Sequence, residues 1–175
     1  MITGGTRRET LGRPCVIEAR IGSVVATTDR QLFTKEAIES VTQNYFDKSG
    51  DSPIPPVFDV CKNIITNNIK GNNLVVFIFL EDRPIGALIA RKGASEITDA
   101  RFLQQTFFNT CVTGAAAVKA VWASHRVLLK YARLHDYSYG VSPGNSADEN
   151  NTFNRILAKD GWHSQGYLSV FNTKE

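Results

Sequence analysis

The chain is short of several features that would fix its chemistry at once. It has three cysteines in 175 residues, Cys15, Cys61 and Cys111, far apart and with no CxxC pair. That argues against a zinc site and against a disulfide framework, and no metal ligand set stands out. A reducing, cytoplasmic compartment is the default expectation. No segment approaches the ~20 consecutive apolar residues of a membrane span, so no membrane partner is expected. The opening stretch MITGGTRRETLGRP has no apolar core, and no signal peptide is visible in it. Net charge is only +3, with Lys and Arg scattered and no dense basic run, so charge gives no nucleic-acid signal. Neither a G-x-x-x-x-G-K-S/T loop nor a G-x-G-x-x-G loop is present, which leaves nucleotide-binding readings without support.

What is present is an ordinary globular composition. The hydrophobic fraction is 42%, enough for a packed core, and the length suits a single domain. Residues 1–14 are polar and glycine-rich and read as a flexible or partner-ordered arm, with the domain proper over 15–175. Cys15 to Ala26 is β-branched and predicts a first strand or a pair of strands. Thr34 suits a helix N-cap, and Ile38, Val41 and Tyr45 follow at helical spacing to about Asp47. A proline-rich loop follows over Lys48–Pro56. Val57 to Lys70 reads as a second helix, with Phe58, Cys61, Ile64, Ile65 and Ile69 on one side. Leu74 to Leu80, LVVFIFL, predicts a strand buried on both faces. It connects through Glu81–Pro84 to a returning strand at Ile85–Arg91.

The stretch from Ile97 to Leu134 organises the rest. Its first part, with Phe102, Thr106, Phe107 and Phe108, predicts a strand ending at Asn109-Thr110. Its last part, with Val118, Val121, Trp122, Leu128, Leu129 and Ala132 at helical spacing, predicts a helix. Between them lies a small-residue turn, Thr113 to Ala117. A strand opening through small residues into a helix leaves unpaired backbone N–H groups, which together with the helix dipole favour a phosphate or other anion. Beyond it, Tyr137–Ser142 predicts a strand, Pro143–Asn151 a polar loop, Thr152–Lys159 a short helix and Gly166–Phe171 a last strand.

This order, with the residues in it, resembles the GCN5-related N-acetyltransferase (GNAT) superfamily. The loop Cys111-Val112-Thr113-Gly114-Ala115-Ala116 matches the second half of that family's Gln/Arg-x-x-Gly-x-Gly/Ala pattern at Gly114 and Ala116, with Cys111 in the first position. Asn150, Phe153, Leu157 and Gly161-Trp162 fall at the spacing of the family's Asn-x-x-Ala-x-x-x-Tyr-x-x-x-Gly-Phe. Here Phe153 replaces the alanine and Leu157 the tyrosine. The resemblance implies an α/β (α+β) fold, a mixed, mostly antiparallel central sheet with helices on both faces. It also implies acetyl-CoA or another acyl-CoA as co-substrate. The pantetheine arm is then expected along the Phe102–Thr110 strand, in the gap where it splays from Tyr137–Ser142. The pyrophosphate is expected on the N–H groups of Cys111 to Ala116. The implied cofactor-binding set is Phe108, Asn109, Cys111, Val112, Thr113, Gly114, Ala115, Ala116 and Asn150.

Acyl transfer from a thioester to an amine needs a base for the amine and a proton for the leaving thiolate. The resemblance places a proton-donating tyrosine where this chain has Leu157, and the strand centre carries Gln104 and Gln105 instead of a carboxylate. Tyr139, Tyr167, Glu81 and Asp99 remain as candidate catalytic groups. Cys111 reads as a small buried residue, or as a thiol activated by the helix start. His125 reads as a packed or surface histidine in preference to a catalytic one, and Trp122 and Trp162 as core. Two functions follow. One is an N-acyltransferase acting on an amine-bearing small molecule or protein. The other is a catalytically inactive module of the same fold with protein partners through the N-terminal arm, similar to small proteins of tailed phages and located in the virion.

Overall fold

In the computed structural model the described residues are 15–48, 54, 56–143, 151–165 and 168–173. The N-terminal arm, the segment 144–150 with Asn150, and Tyr167 lie outside them. Eight strands form a single sheet, β1 (Glu18–Ile21), β2 (Val24–Thr27), β3 (Leu74–Leu80), β4 (Arg83–Ala94), β5 (Arg101–Thr110), β6 (Tyr139–Pro143), β7 (Trp162–Gln165) and β8 (Leu168–Asn172), ordered β1-β2-β3-β4-β5-β6-β8-β7. Four helices cover it: α1 (Lys35–Lys48), α2 (Phe58–Lys70), α3 (Gly114–Leu134) and α4 (Thr152–Ala158). All strand pairs are antiparallel except β5 with β6. This is the mixed, mostly antiparallel sheet that the resemblance implies.

The alternation of β3 explains why both faces are covered. Leu74, Val76 and Ile78 pack with α3 residues such as Ala120, Val127 and Leu128. Val75 and Phe77 point the other way, to a second core with Val41 of α1 and Ile65 of α2. A strand with apolar residues at every position cannot leave either face to water. α1 begins as its sequence predicts, with the Ala37 N–H donating to Thr34 Oγ1 at 3.1 Å.

Several boundaries differ from the sequence reading. The β3–β4 connection is a two-residue turn, Glu81 and Asp82, both with positive φ (49° and 65°), and Arg83 and Pro84 already belong to β4. Two left-handed residues give the turn twist that matches paired strands. Trp162–Gln165 forms a strand of its own, paired with β8, where the sequence shows only the close of a helix. Gly114 to Ala117 are the first turn of α3 and not a turn before it; alanines suit a helix start as well as a loop. Ile64 is 48% exposed although it shares a helical period with Cys61 and Ile65. Trp122 is half-buried, not core: its indole N–H donates to Asp160 Oδ2 at 2.6 Å, beside the paired Arg126 guanidinium. Trp162 is core, 2% exposed.

Candidate functional site

Two strand irregularities create the site. In the β4–β5 ladder Ile89 faces Phe107 but Ala90 faces Gln105, so Thr106 is an extra, bulged residue. The parallel pairing of β5 with β6 covers only Phe102–Gln104 against Tyr139–Val141. From Gln105 to Thr110, β5 is therefore paired on one edge alone among the described residues. The unpaired edge faces a gap that opens toward the start of α3. Backbone N–H and C=O groups along such an edge offer a ladder to any extended, amide-bearing ligand.

At the open end of the gap lies the β5–α3 junction. The Cys111 N–H is occupied by Ile85 O at 2.8 Å, so the donor set begins later than the sequence suggests. Thr113 is the N-cap and makes no side-chain cap bond. The orphan N–H groups at the helix start are those of Thr113, Gly114, Ala115 and Ala116. Gly114 adopts φ +60°, and a Cβ there would meet nothing within 4 Å; the space before the helix is open. Cys111 and Val112 pack against the α3-side core. Lys48, at the end of α1, donates from Nζ to Thr110 O and adds a positive charge beside the cradle. Nothing local in the sequence signals that contact, which spans 62 residues of chain.

At the closed end, a cleft on the α3 side of the sheet is lined by Gln105 and Phe108 of β5, Val121 and His125 of α3, Ser142 of β6 and Leu157 of α4. Pro143, Phe153, Asn154 and Ser169 complete its described wall. The polar groups here are buried and bonded to one another. His125 is 3% exposed, with Nδ1 2.8 Å from Val121 O and Nε2 3.0 Å from Ser142 Oγ. The Ser142 hydroxyl also donates to Gln105 Oε1 at 2.8 Å, and the Ser169 hydroxyl to Asn154 Oδ1 at 3.4 Å. Burial holds the His125 pKa down to about 4, against a smaller opposing pull from the Val121 carbonyl. The imidazole is therefore neutral at physiological pH. A carbonyl only accepts, so Nδ1 carries the ring proton and Nε2 presents its lone pair to Ser142.

The other sequence candidates are scattered. Glu81 is exposed in the β3–β4 turn and Asp99 in the loop before β5. Tyr139 stacks on Phe102 with ring centres 5.5 Å apart. None of the three lines the cleft. Asn109 is buried but pairs with Ala87, which belongs to the α1–α2 side, and its Nδ2 has no partner. Phe108 lines the cleft, with its ring 6.1 Å from that of His125. Ser142, Asn154 and Ser169 escaped the sequence reading because nothing local marks them. They meet only when α3, α4, β6 and β8 assemble.

No protein-family model matches the chain, and no curated protein matches it in sequence. Solved structures do match. A GNAT-family acetyltransferase from Bacillus anthracis aligns over 92% of this chain and all of its own, with a TM-score of 0.56 at 17% identity. RimJ of Mycobacterium smegmatis, solved with CoA-disulfide, aligns over 92% of this chain and 88% of its own (TM-score 0.61, 11% identity). YncA of Salmonella typhimurium, solved with acetyl-CoA, aligns over 88% and 96% (TM-score 0.62, 9% identity). The chain has the fold of the GNAT acetyltransferases.

Proposed function

We propose that this protein is an acyl-CoA-dependent N-acyltransferase acting on an amine acceptor. The observation that supports this most is the coincidence of two features on β5: an edge released from β6 after Gln104, and an uncapped helix start at its end. In this reading the pantetheine arm follows Gln105 to Thr110 and the pyrophosphate meets the N–H groups of Thr113 to Ala116, with Lys48 alongside. The thioester then lies at the closed end, beside Gln105 and Ser142. The bound co-substrate supplies the activated acyl group. The protein aligns it, excludes water with Phe108, Phe153 and Leu157, and offers polar contacts at the reacting end. Asn150 keeps the place near the pantetheine that the resemblance implies, and Tyr167 stays a candidate catalytic group; both lie outside the described residues.

The test is thermal melting with and without acetyl-CoA. At ~100 times its dissociation constant the ligand adds about 2.7 kcal/mol, a shift of several degrees. Gly114→Arg places a bulky side chain in the cradle and abolishes that shift, while the unliganded protein melts within a few degrees of the wild type. An unchanged shift in this variant overturns the pyrophosphate assignment.

One observation favours a second reading, a catalytically silent module such as a virion protein. Among the described residues the cleft has neither a carboxylate nor a tyrosine, and Leu157 stands in its wall. No ligand-induced shift, together with loss of partner assembly on deleting residues 1–14, supports that reading.

A further inference from the structure

We propose that Ser142 is a nucleophile, with the His125 imidazole as its base, and that the protein passes the acyl group through an acyl-serine. The proposal rests on the acyl-CoA reading for its natural donor, and it gives the chain a thioester hydrolase activity when no amine is present.

The geometry carries it. Ser142 is the first residue of β6 past the last β5–β6 pair, so it sits at the apex of the splay. Its Oγ lies 3.0 Å from His125 Nε2, and the Val121 carbonyl holds the ring by Nδ1 at 2.8 Å. That is the arrangement of an activated serine: a nucleophile on a base, and the base oriented by a third group. One hydroxyl hydrogen cannot serve both neighbours. At rest it goes to Gln105 Oε1, 2.8 Å away; a half-turn of that amide puts an N–H there instead and releases the hydrogen to His125 Nε2. All three side chains line one cleft, and the wall holds no carboxylate, tyrosine or cysteine among the described residues.

The chemistry balances. Ser142 Oγ bonds to the thioester carbonyl carbon as its hydrogen passes to His125 Nε2. The C–S bond breaks, and the imidazolium returns that proton to the departing thiolate, releasing the thiol and leaving a serine ester. Charging a buried imidazole is unfavourable alone, but the thiolate develops its negative charge in the same cleft and offsets it. Water then attacks the ester with His125 as base, and the proton returns to Oγ as the carboxylic acid leaves. An amine in place of water gives the amide.

The experiment incubates the full chain, without acceptor, separately with acetyl-CoA and with p-nitrophenyl acetate, followed by intact mass and peptide mapping. One acetyl group on Ser142 is expected from both donors. Ser142→Ala loses it. Ser142→Cys retains it as a thioester that neutral hydroxylamine cleaves, which a structural hydroxyl would not predict. His125→Gln slows labelling by about a hundredfold. If acetyl-CoA raises the melting temperature but neither donor labels Ser142, the nucleophile is refuted and the cofactor reading stands. If p-nitrophenyl acetate labels Ser142 while acetyl-CoA neither labels nor stabilises, the cofactor reading fails and the nucleophile stands. Undiminished labelling of Ser142→Ala refutes the proposal outright.

Discussion

The two ends of the β5 gap are built on opposite principles. The cradle at the β5–α3 junction is made of backbone: the N–H groups of consecutive residues, an absent side chain at Gly114 and a helix start without a cap. The closed end is made of side chains, Gln105, His125, Ser142, Asn154 and Ser169, brought from five elements and bonded to each other in a buried space. A backbone site tolerates changes of side chain and fails when the chain path changes. A buried polar network fails when any one partner is removed, because the others are left unsatisfied. The difference predicts how each end responds to perturbation.

The largest effect is expected where the path itself is disturbed. Gly86 pairs with Thr110 directly beneath the cradle, and a Cβ there would lie 2.1 Å from the Asn109 carbonyl oxygen. Gly86→Ala is expected to lose about 3 kcal/mol in denaturant unfolding and to abolish the acetyl-CoA melting shift. Wild-type stability in this variant would break the account of the cradle as a matter of chain path.

Next comes the pH response of the closed end. The His125 pKa is lowered from 6.5 to about 4 by burial. Between those values the unfolded chain binds the proton and the folded chain does not, so stability falls as pH drops from about 6.5 toward 4. The loss approaches about 3 kcal/mol. Denaturant melts across this range measure it, and His125→Gln should flatten that part of the profile. An unchanged slope in the variant would assign the acid sensitivity elsewhere.

The smallest effect should be at Cys111. Its N–H already serves Ile85 and its side chain packs at the core margin. Cys111→Ala should leave the acetyl-CoA shift within about 0.5 kcal/mol of wild type. A large loss would show that the cradle uses side chains after all and would erase the contrast between the two ends.

The same contrast explains what could be read in advance. β3 matches its sequence boundaries because seven apolar residues in a row leave few alternatives. The helix of α3 and the small-residue junction before it are local patterns, visible within one stretch of chain. β7 is not legible in advance, because four residues after a helix, WHSQ, carry too little pattern to signal a strand; the β8 ladder makes it one. Trp122 reads as core because it is an aromatic residue on a helical stripe, whereas Asp160 holds its indole half-buried beside Arg126. Glu81 and Asp99 have the chemistry of bases, but chemistry without position does not make a site.

By itself, then, the sequence determined the elements other than β7, their order and the small-residue start of α3, because each depends on residues a few positions apart. Only the tertiary structure decided where β5 parts from β6, which N–H groups stay free, and that Gln105, His125 and Ser142 meet. Those facts depend on contacts between residues tens of positions apart. Such contacts form because burial of the whole sheet and its helices places them, and no local preference records that placement.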